Sequence, residues 1–137
     1  LEARISESRG TVEYKDILDL EADPLQMKQL FQNLVSNALK YHKEGVPPVV
    51  NISGKSLDNG NIQISFGDNG IGFEEKYRKQ IFKPFQRLHG RNAYEGTGMG
   101  LAICKKIIER HNGEILVESS IGEGSTFKVI LPAKQLN

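Results

Sequence analysis

The chain has a single cysteine, Cys104, in 137 residues. No disulfide can therefore form within it, and that cysteine usage suits a reducing compartment. Cys104 falls on an apolar helical stripe, which reads as a buried structural thiol rather than a reactive one. No run approaches the roughly 18 apolar residues of a membrane span, and no secretory pattern is visible. The expectation is a cytoplasmic domain without direct membrane contact. An excess of either charge is also missing: 18 Lys and Arg face 17 Asp and Glu, net +1. That balance excludes a nucleic-acid surface driven by bulk charge. What remains is ordinary for one globular domain, with 38% hydrophobic and 26% charged residues. The first residue is Leu1 rather than methionine, so we expect a piece cut from something longer.

Two familiar phosphate-binding patterns are missing as well. The spacing Gly96-Thr97-Gly98-Met99-Gly100-Leu101 is GxGxG, not GxGxxG, and the residues before it form no apolar strand. Gly54-Lys55-Ser56 resembles the end of a P-loop, but Val49 stands where its first glycine would be needed. The Gly96–Leu101 stretch still has a use. Glycines let a backbone approach closely, and a turn feeding a helix presents free N–H groups and the positive helix end to an anion. A phosphate chain fits such a turn; a flexible linker is the bland alternative.

The chain before and after that turn alternates between two periodicities. Residues 1–8 read as the end of a helix, which Gly10 breaks. Val12, Tyr14, Ile17, Leu18 and Leu20 suggest one or two short strands. Asp23-Pro24-Leu25-Gln26 reads as a helix start with Asp at the N-cap, Pro first and Gln three residues past the cap. Met27, Leu30, Phe31, Leu34, Val35 and Ala38 then recur at helical spacing. Asn33, Asn37 and Lys40 or Tyr41 run along the border of that stripe. Val50 and Ile52, then Ile62, Ile64 and Phe66, alternate as strands around the turn Asp58-Asn59-Gly60. The second strand runs into Asp68-Asn69-Gly70-Ile71-Gly72, which places a carboxylate at a strand end.

Residues 74–81 read as a short charged helix. An irregular stretch to Gly98 follows, of a length found in lids and binding loops. Leu101, Cys104, Ile107, Ile108 and His111 mark a second amphipathic helix, ended by Asn112-Gly113; His111 reads as a capping or interface residue. A last hairpin joins 114–118 to 127–131 across Gly122-Glu123-Gly124. The expected fold is α+β, a two-layer sandwich. Its mixed, mostly antiparallel sheet has about five strands, covered on one face by about three helices.

Five stretches together resemble the sensor histidine kinases. Asn33 to Tyr41 is similar to their N box, and Asp68 to Gly72 to their first glycine box. Ile81-Phe82-Lys83-Pro84-Phe85 is similar to the F box, Gly96 to Leu101 to the second glycine box, and Gly122 to Phe127 to the last. They occur in the family's order over nearly the whole chain. The runs Phe85 to His89 and Cys104 to Lys106 resemble the phytochrome-like and PAS-linked branch. On this resemblance residues 1–9 end a linker helix, and 10–137 are the catalytic domain with its ATP lid at about 73–98.

The resemblance implies a Bergerat-type site for ATP and Mg²⁺, as in the gyrase, mismatch-repair and heat-shock chaperone ATPases. Asp68 would accept the adenine amino hydrogens. Guanine would set a carbonyl oxygen against that carboxylate, an unpaired arrangement costing about 1–3 kcal/mol. Gly70 and Gly72 would admit the base, Tyr41 would pack on it, and Thr126 would partner Asp68 through water. Lys40 would reach the phosphates. Asn37 would ligate Mg²⁺ through its amide oxygen, a hard donor for a hard cation, and Asn33 would support that cluster. Gly96, Thr97, Gly98, Met99, Gly100 and Leu101 would cradle the phosphates. Arg87 would contact the terminal phosphate during transfer.

The ATP-hydrolysing relatives carry a glutamate where this chain has Asn33, and an amide cannot act as a general base. The resemblance therefore implies slow hydrolysis, with the γ-phosphoryl group held for a histidine on a separate dimerisation domain. His42, His89 and His111 do not lie in a His-Glu or His-Asp phosphoacceptor context. The implied partners are that dimerisation and phosphotransfer domain and, downstream, a response regulator. The fragment is expected to be monomeric and its parent homodimeric. A serine kinase of the anti-sigma-factor type and a nucleotide-sensing module without transfer are the competing readings.

Overall fold

The computed structural model describes residues 10–15, 20–84 and 100–134. Five strands form one sheet: β1 (Thr11–Lys15), β2 (Val49–Ser56), β3 (Asn61–Asp68), β4 (Glu114–Ser120) and β5 (Gly124–Pro132). Their order is β1-β2-β3-β5-β4; β1 runs parallel to β2 and every other pair is antiparallel. Helix α1 (Pro24–Lys40) connects the parallel pair, and helix α2 (Gly100–Arg110) precedes the last hairpin.

Alternation decides which face is covered. Val50 and Ile52, Ile62, Ile64 and Phe66, and Phe127, Val129 and Leu131 all turn to the helix side and are buried. They meet Leu30, Leu34, Val35, Ala38 and Leu39 of α1 and Cys104, Ile107 and Ile108 of α2. Phe31 stands edge-on to Phe66 with ring centroids 5.0 Å apart, and Phe82 to Phe127 at 6.2 Å. The expected two-layer α+β sandwich is present, with two α-helices among the described residues.

Two local expectations change. Residues 74–81 do not form an α-helix but two single 3₁₀ turns, Glu75–Tyr77 and Gln80–Phe82. The segment has no side-chain N-cap bond, and only Ile81 and Phe82 in these turns are buried, too few anchors to hold a longer helix. Of the one or two strands expected before α1, one lies within the described residues; Leu20 is outside it, and residues 16–19 fall outside the description. The helix expected at residues 1–8 lies outside it too.

The second change is at the start of α1. Asp23 caps it as expected, its Oδ1 accepting from Leu25 N at 2.9 Å and Gln26 N at 3.1 Å. Gln26 does not complete a reciprocal box: its Oε1 is buried without a hydrogen bond among the described residues. Asp23 N instead donates to His111 Nε2 at 3.1 Å. His111 Nδ1 faces the Ile107 carbonyl at 2.8 Å, so it carries the ring proton and leaves the Nε2 lone pair for Asp23. This buried ring joins the end of α2 to the start of α1. There α2 closes on Asn112, at φ 61, and Gly113 N donates to Ile108 O at 3.0 Å.

Candidate functional site

The end of β3 brings Asp68 to the helix-covered side of the sheet, opposite Val50. Its Oδ1 accepts two backbone bonds, from Gly70 N at 2.9 Å and Ser125 N at 3.2 Å. Burial pushes the Asp68 carboxyl above its ordinary value, and these two N–H bonds oppose the rise. Both bonds fall on one oxygen, so the carboxylate is fixed in rotation and its other oxygen is directed away from the loop backbone.

The glycines around it serve contact between backbones. A Cβ on Gly70 would lie 2.5 Å from the Tyr41 carbonyl oxygen and 2.9 Å from Asp68 Oδ1. Gly72 has φ +67, and a Cβ there would run into the Ser120 carbonyl. Gly124, at φ +96, presses on the Asp68 carbonyl in the same way. Between them Ile71 N donates to Tyr41 O at 3.0 Å, and Gly122 N donates to Ile71 O at 2.8 Å. The loop is thus clamped between the end of α1 and the β4–β5 hairpin. Asn69 fixes its outer side, its Oδ1 accepting from Val49 N at 2.8 Å.

One expected partner is replaced. Thr126 pairs with Gly67, so its side chain lies on the open face of the sheet, away from Asp68. Ser125, one residue earlier, shares the face of Phe127 and bonds Asp68 through its N–H. The sequence reading missed it by one position in the ladder; counting back in steps of two from Phe127 finds it. Ser119 was missed also. Its buried Oγ accepts from Phe73 N at 2.9 Å and lies 2.8 Å from Ser125 Oγ and 3.1 Å from Gly124 O. Its N–H donates to Glu75 Oε1 at 2.8 Å. A cavity of about 340 Å³ opens here; Asp68, Glu75, Ser119, Glu123, Ser125 and Thr126 are among the residues that line it.

The polar border of α1 leads away from that acidic end. Asn33 Nδ2 is buried without a hydrogen bond among the described residues. It adjoins Cys104, whose thiol burial pushes up to about 12, with the Asn33 amide opposing the rise. Asn37 is half-buried, and Lys40 Nζ stands 4.9 Å from the ring centroid of Tyr41. Gly100 and Leu101 open α2. Arg87, Gly96, Thr97, Gly98 and Met99 lie outside the described residues. Among those described, no three His, Cys, Asp or Glu side chains converge to hold a metal. The hard donor present is the amide oxygen of Asn37. The orphaned Nδ2 of Asn33, one turn before it, is a donor suited to a phosphate oxygen or a metal-bound water. These residues fit a metal that takes its remaining ligands from a phosphate chain and water.

A family profile described as histidine kinase-, DNA gyrase B-, and HSP90-like ATPase matches residues 22–135. Cyanobacterial phytochrome A of Nostoc sp. is 46% identical over 132 residues, which is 96% of this chain and 17% of that protein. Sporulation kinase E of Bacillus subtilis is 41% identical over 120 residues, 88% of this chain and 15% of that protein. The chain thus spans less than a fifth of these relatives. The catalytic domain of histidine kinase ThkA superposes with a TM-score of 0.77 at 27% identity, covering 98% of this chain and 87% of that one. Full-length ShkA in complex with AMPPNP superposes at 0.81 with 25% identity, over 98% of this chain and 28% of that one.

Proposed function

Because the chain belongs to the histidine kinase-, DNA gyrase B- and HSP90-like ATPases, as the profile match over residues 22–135 establishes, we propose that it binds Mg-ATP and delivers the γ-phosphoryl group to a histidine of a separate domain. It would serve as the catalytic part of a sensor kinase in two-component signalling. The observation that carries this reading is the fixed Asp68 carboxylate, with one oxygen engaged by two N–H groups and the other left to read a base edge. An exocyclic amino group matches that acceptor and a carbonyl does not. The charges of Glu75 and Glu123, in no ion pair among the described residues, disfavour a triphosphate at this end, so the base would enter here with the phosphates toward Lys40 and the start of α2. The AMPPNP held by the similar ShkA supports the same class of ligand.

Asn37 would hold the Mg²⁺ through its amide oxygen, and Asn33 Nδ2 would donate to the phosphate or water beside it. Bound there, the ion would offset the charge of the phosphates. Asn33 cannot remove a proton from water, so the terminal phosphoryl group is kept for an external nucleophile. Tyr41, Lys40, Gly100 and Leu101 would border the cleft from the helix side; Arg87 would contact the terminal phosphate and Gly96, Thr97, Gly98 and Met99 would cradle the phosphates, as the family resemblance implies. The partners would be the dimerisation and histidine phosphotransfer domain of the parent and then a response regulator. ThkA has been solved with a response regulator, TrrA.

Titration calorimetry with ATP and GTP, with and without Mg²⁺, tests the site. ATP binds, GTP binds far more weakly, and Asn37→Ala loses the Mg²⁺-dependent part. Equal affinity for the two nucleotides refutes the role of Asp68. Adding the helical partner domain and γ-labelled ATP tests the transfer. Acid-labile, base-stable label on the partner supports histidine, whereas acid-stable label supports a serine kinase.

A further inference from the structure

Among the described residues, β4 is an edge strand, bonded in the sheet only to β5. Ser119 N donates to Glu75 Oε1, so the peptide groups of Ser119 face away from β5. In an antiparallel strand the N–H and C=O of one residue point the same way and alternate along the chain. Val117 and Ile115 therefore turn theirs outward too. Neither bonds to a described residue outside the sheet ladder. Glu75 stoppers one end of this edge and leaves two residues of it open.

The open part walls a groove of about 710 Å³, closed on its other sides by the 3₁₀ turns and α2. Phe82 and Val117 supply apolar surface. Arg78, Lys79, Lys83 and Lys105 line it, all exposed and none in a salt bridge among the described residues. The two acids beside them are engaged: Glu75 on Ser119 N, Glu118 on Lys128 Nζ at 2.6 Å. Four cations thus face the groove against two acids, of which Glu118 is ion-paired with Lys128 and Glu75 is held at the end by Ser119 N.

We propose that this groove docks an extended acidic segment of a partner protein, which adds a strand to the free edge of β4. Four main-chain bonds, to the N–H and C=O of Ile115 and Val117, give such a segment its register. Its carboxylates, at alternate positions, face the cations on the helix side. The charge selects the occupant. A second copy of this chain would bring the same four cations into the groove, and lysines beside an edge discourage that self-pairing. The groove adjoins the Asp68 cavity and shares Glu75 and Glu118 with it, but none of the groups proposed to hold the nucleotide lines it, so the inference stands whether or not the nucleotide reading does.

The probe is the fluorescein-labelled peptide Ac-Glu-Val-Glu-Val-Glu-Val-Glu-NH₂, titrated by anisotropy against the 137-residue chain without nucleotide. It binds, and the affinity falls at least about fivefold between about 50 and about 300 mM salt. Amide exchange at Ile115 and Val117 slows on binding. The pair Lys79→Glu and Lys105→Glu weakens it at least about tenfold, whereas Lys55→Glu on β2 leaves it unchanged. A peptide with lysine for glutamate does not bind, nor does one with proline at the central position. Absence of binding overturns the proposal. So does equal binding of the lysine peptide, an equal loss in Lys55→Glu, or unchanged exchange at Ile115 and Val117.

Discussion

Replacing Asp68 by asparagine separates what the carboxylate does for the ligand from what it costs the fold. The two N–H groups of Gly70 and Ser125 both need an acceptor, so they hold the amide oxygen of the variant where Oδ1 now sits. That pins the rotation and places the NH₂ where the second oxygen was. An adenine amino group then meets a donor instead of an acceptor. A hydrogen bond to a charged group contributes about 1.5–3 kcal/mol, so ATP affinity falls by about 10- to 150-fold. GTP, whose carbonyl now faces a donor, holds or gains affinity. Stability moves the other way. Burial raises the Asp68 carboxyl above 3.8, so the native state holds its proton more tightly than the unfolded chain. The wild-type protein therefore loses stability relative to the variant as pH rises from near 3.8 through the raised native value. Below that window the two are alike; at neutral pH Asp68→Asn is the more resistant to urea. Calorimetry with both nucleotides and urea melts at several pH values measure both arms. Unchanged ATP affinity, or a variant less stable at neutral than at acid pH relative to wild type, refutes the reasoning.

Gly60 and Gly72 both have positive φ, but a Cβ on Gly60 meets nothing within 4 Å while one on Gly72 collides with the Ser120 carbonyl. Gly60→Ala should cost about 1–2 kcal/mol in urea unfolding from backbone strain alone, and Gly72→Ala clearly more; equal costs would show the clamp to be unimportant. His111→Ala strips Asp23 N of its acceptor and empties a buried ring site, so a loss of at least about 1–3 kcal/mol is expected from the orphaned N–H. A thermal melt within experimental error of wild type would remove His111 as the link between the helices. Cys104 is fully buried with its thiol pushed up to about 12, so iodoacetamide at mildly alkaline pH should label it only when the chain opens. Labelling faster than global unfolding would place an opening between α1 and α2.

What the sequence made legible is what repeats along it. The apolar stripe of α1 and the alternation of β2, β3 and β5 depend on neighbours two to four residues apart, and both faces came out as expected. What it hid depends on long separations or on single-residue phase. Gln26 was the local candidate to close the cap of α1, yet His111, 88 residues away, takes the Asp23 N–H. Thr126 and Ser125 are both hydroxyl residues after a glycine turn; only the pairing of Gly67 with Thr126 shows that Ser125 shares the face of Asp68. The 3₁₀ turns at 75–82 were read as one helix because their charge pattern suits a helix and their few buried anchors show only in the packing.

The geometry gives the first glycine box a packing role. Gly70 and Gly72 admit the carbonyls of Tyr41 and Ser120. Ile71, between them, accepts from the hairpin through its C=O and donates to the end of α1 through its N–H. Asp68 stands three residues before Ile71, with one bond from this loop and one from Ser125 on the hairpin. Its position is therefore set jointly by the helix that carries Asn33, Asn37, Lys40 and Tyr41 and by the hairpin that carries Ser119 and Ser125. A side chain at either glycine would push the loop off one of these supports and turn the carboxylate. On the function proposed above, the specificity of the cleft would therefore depend on this backbone packing as well as on the carboxylate it orients.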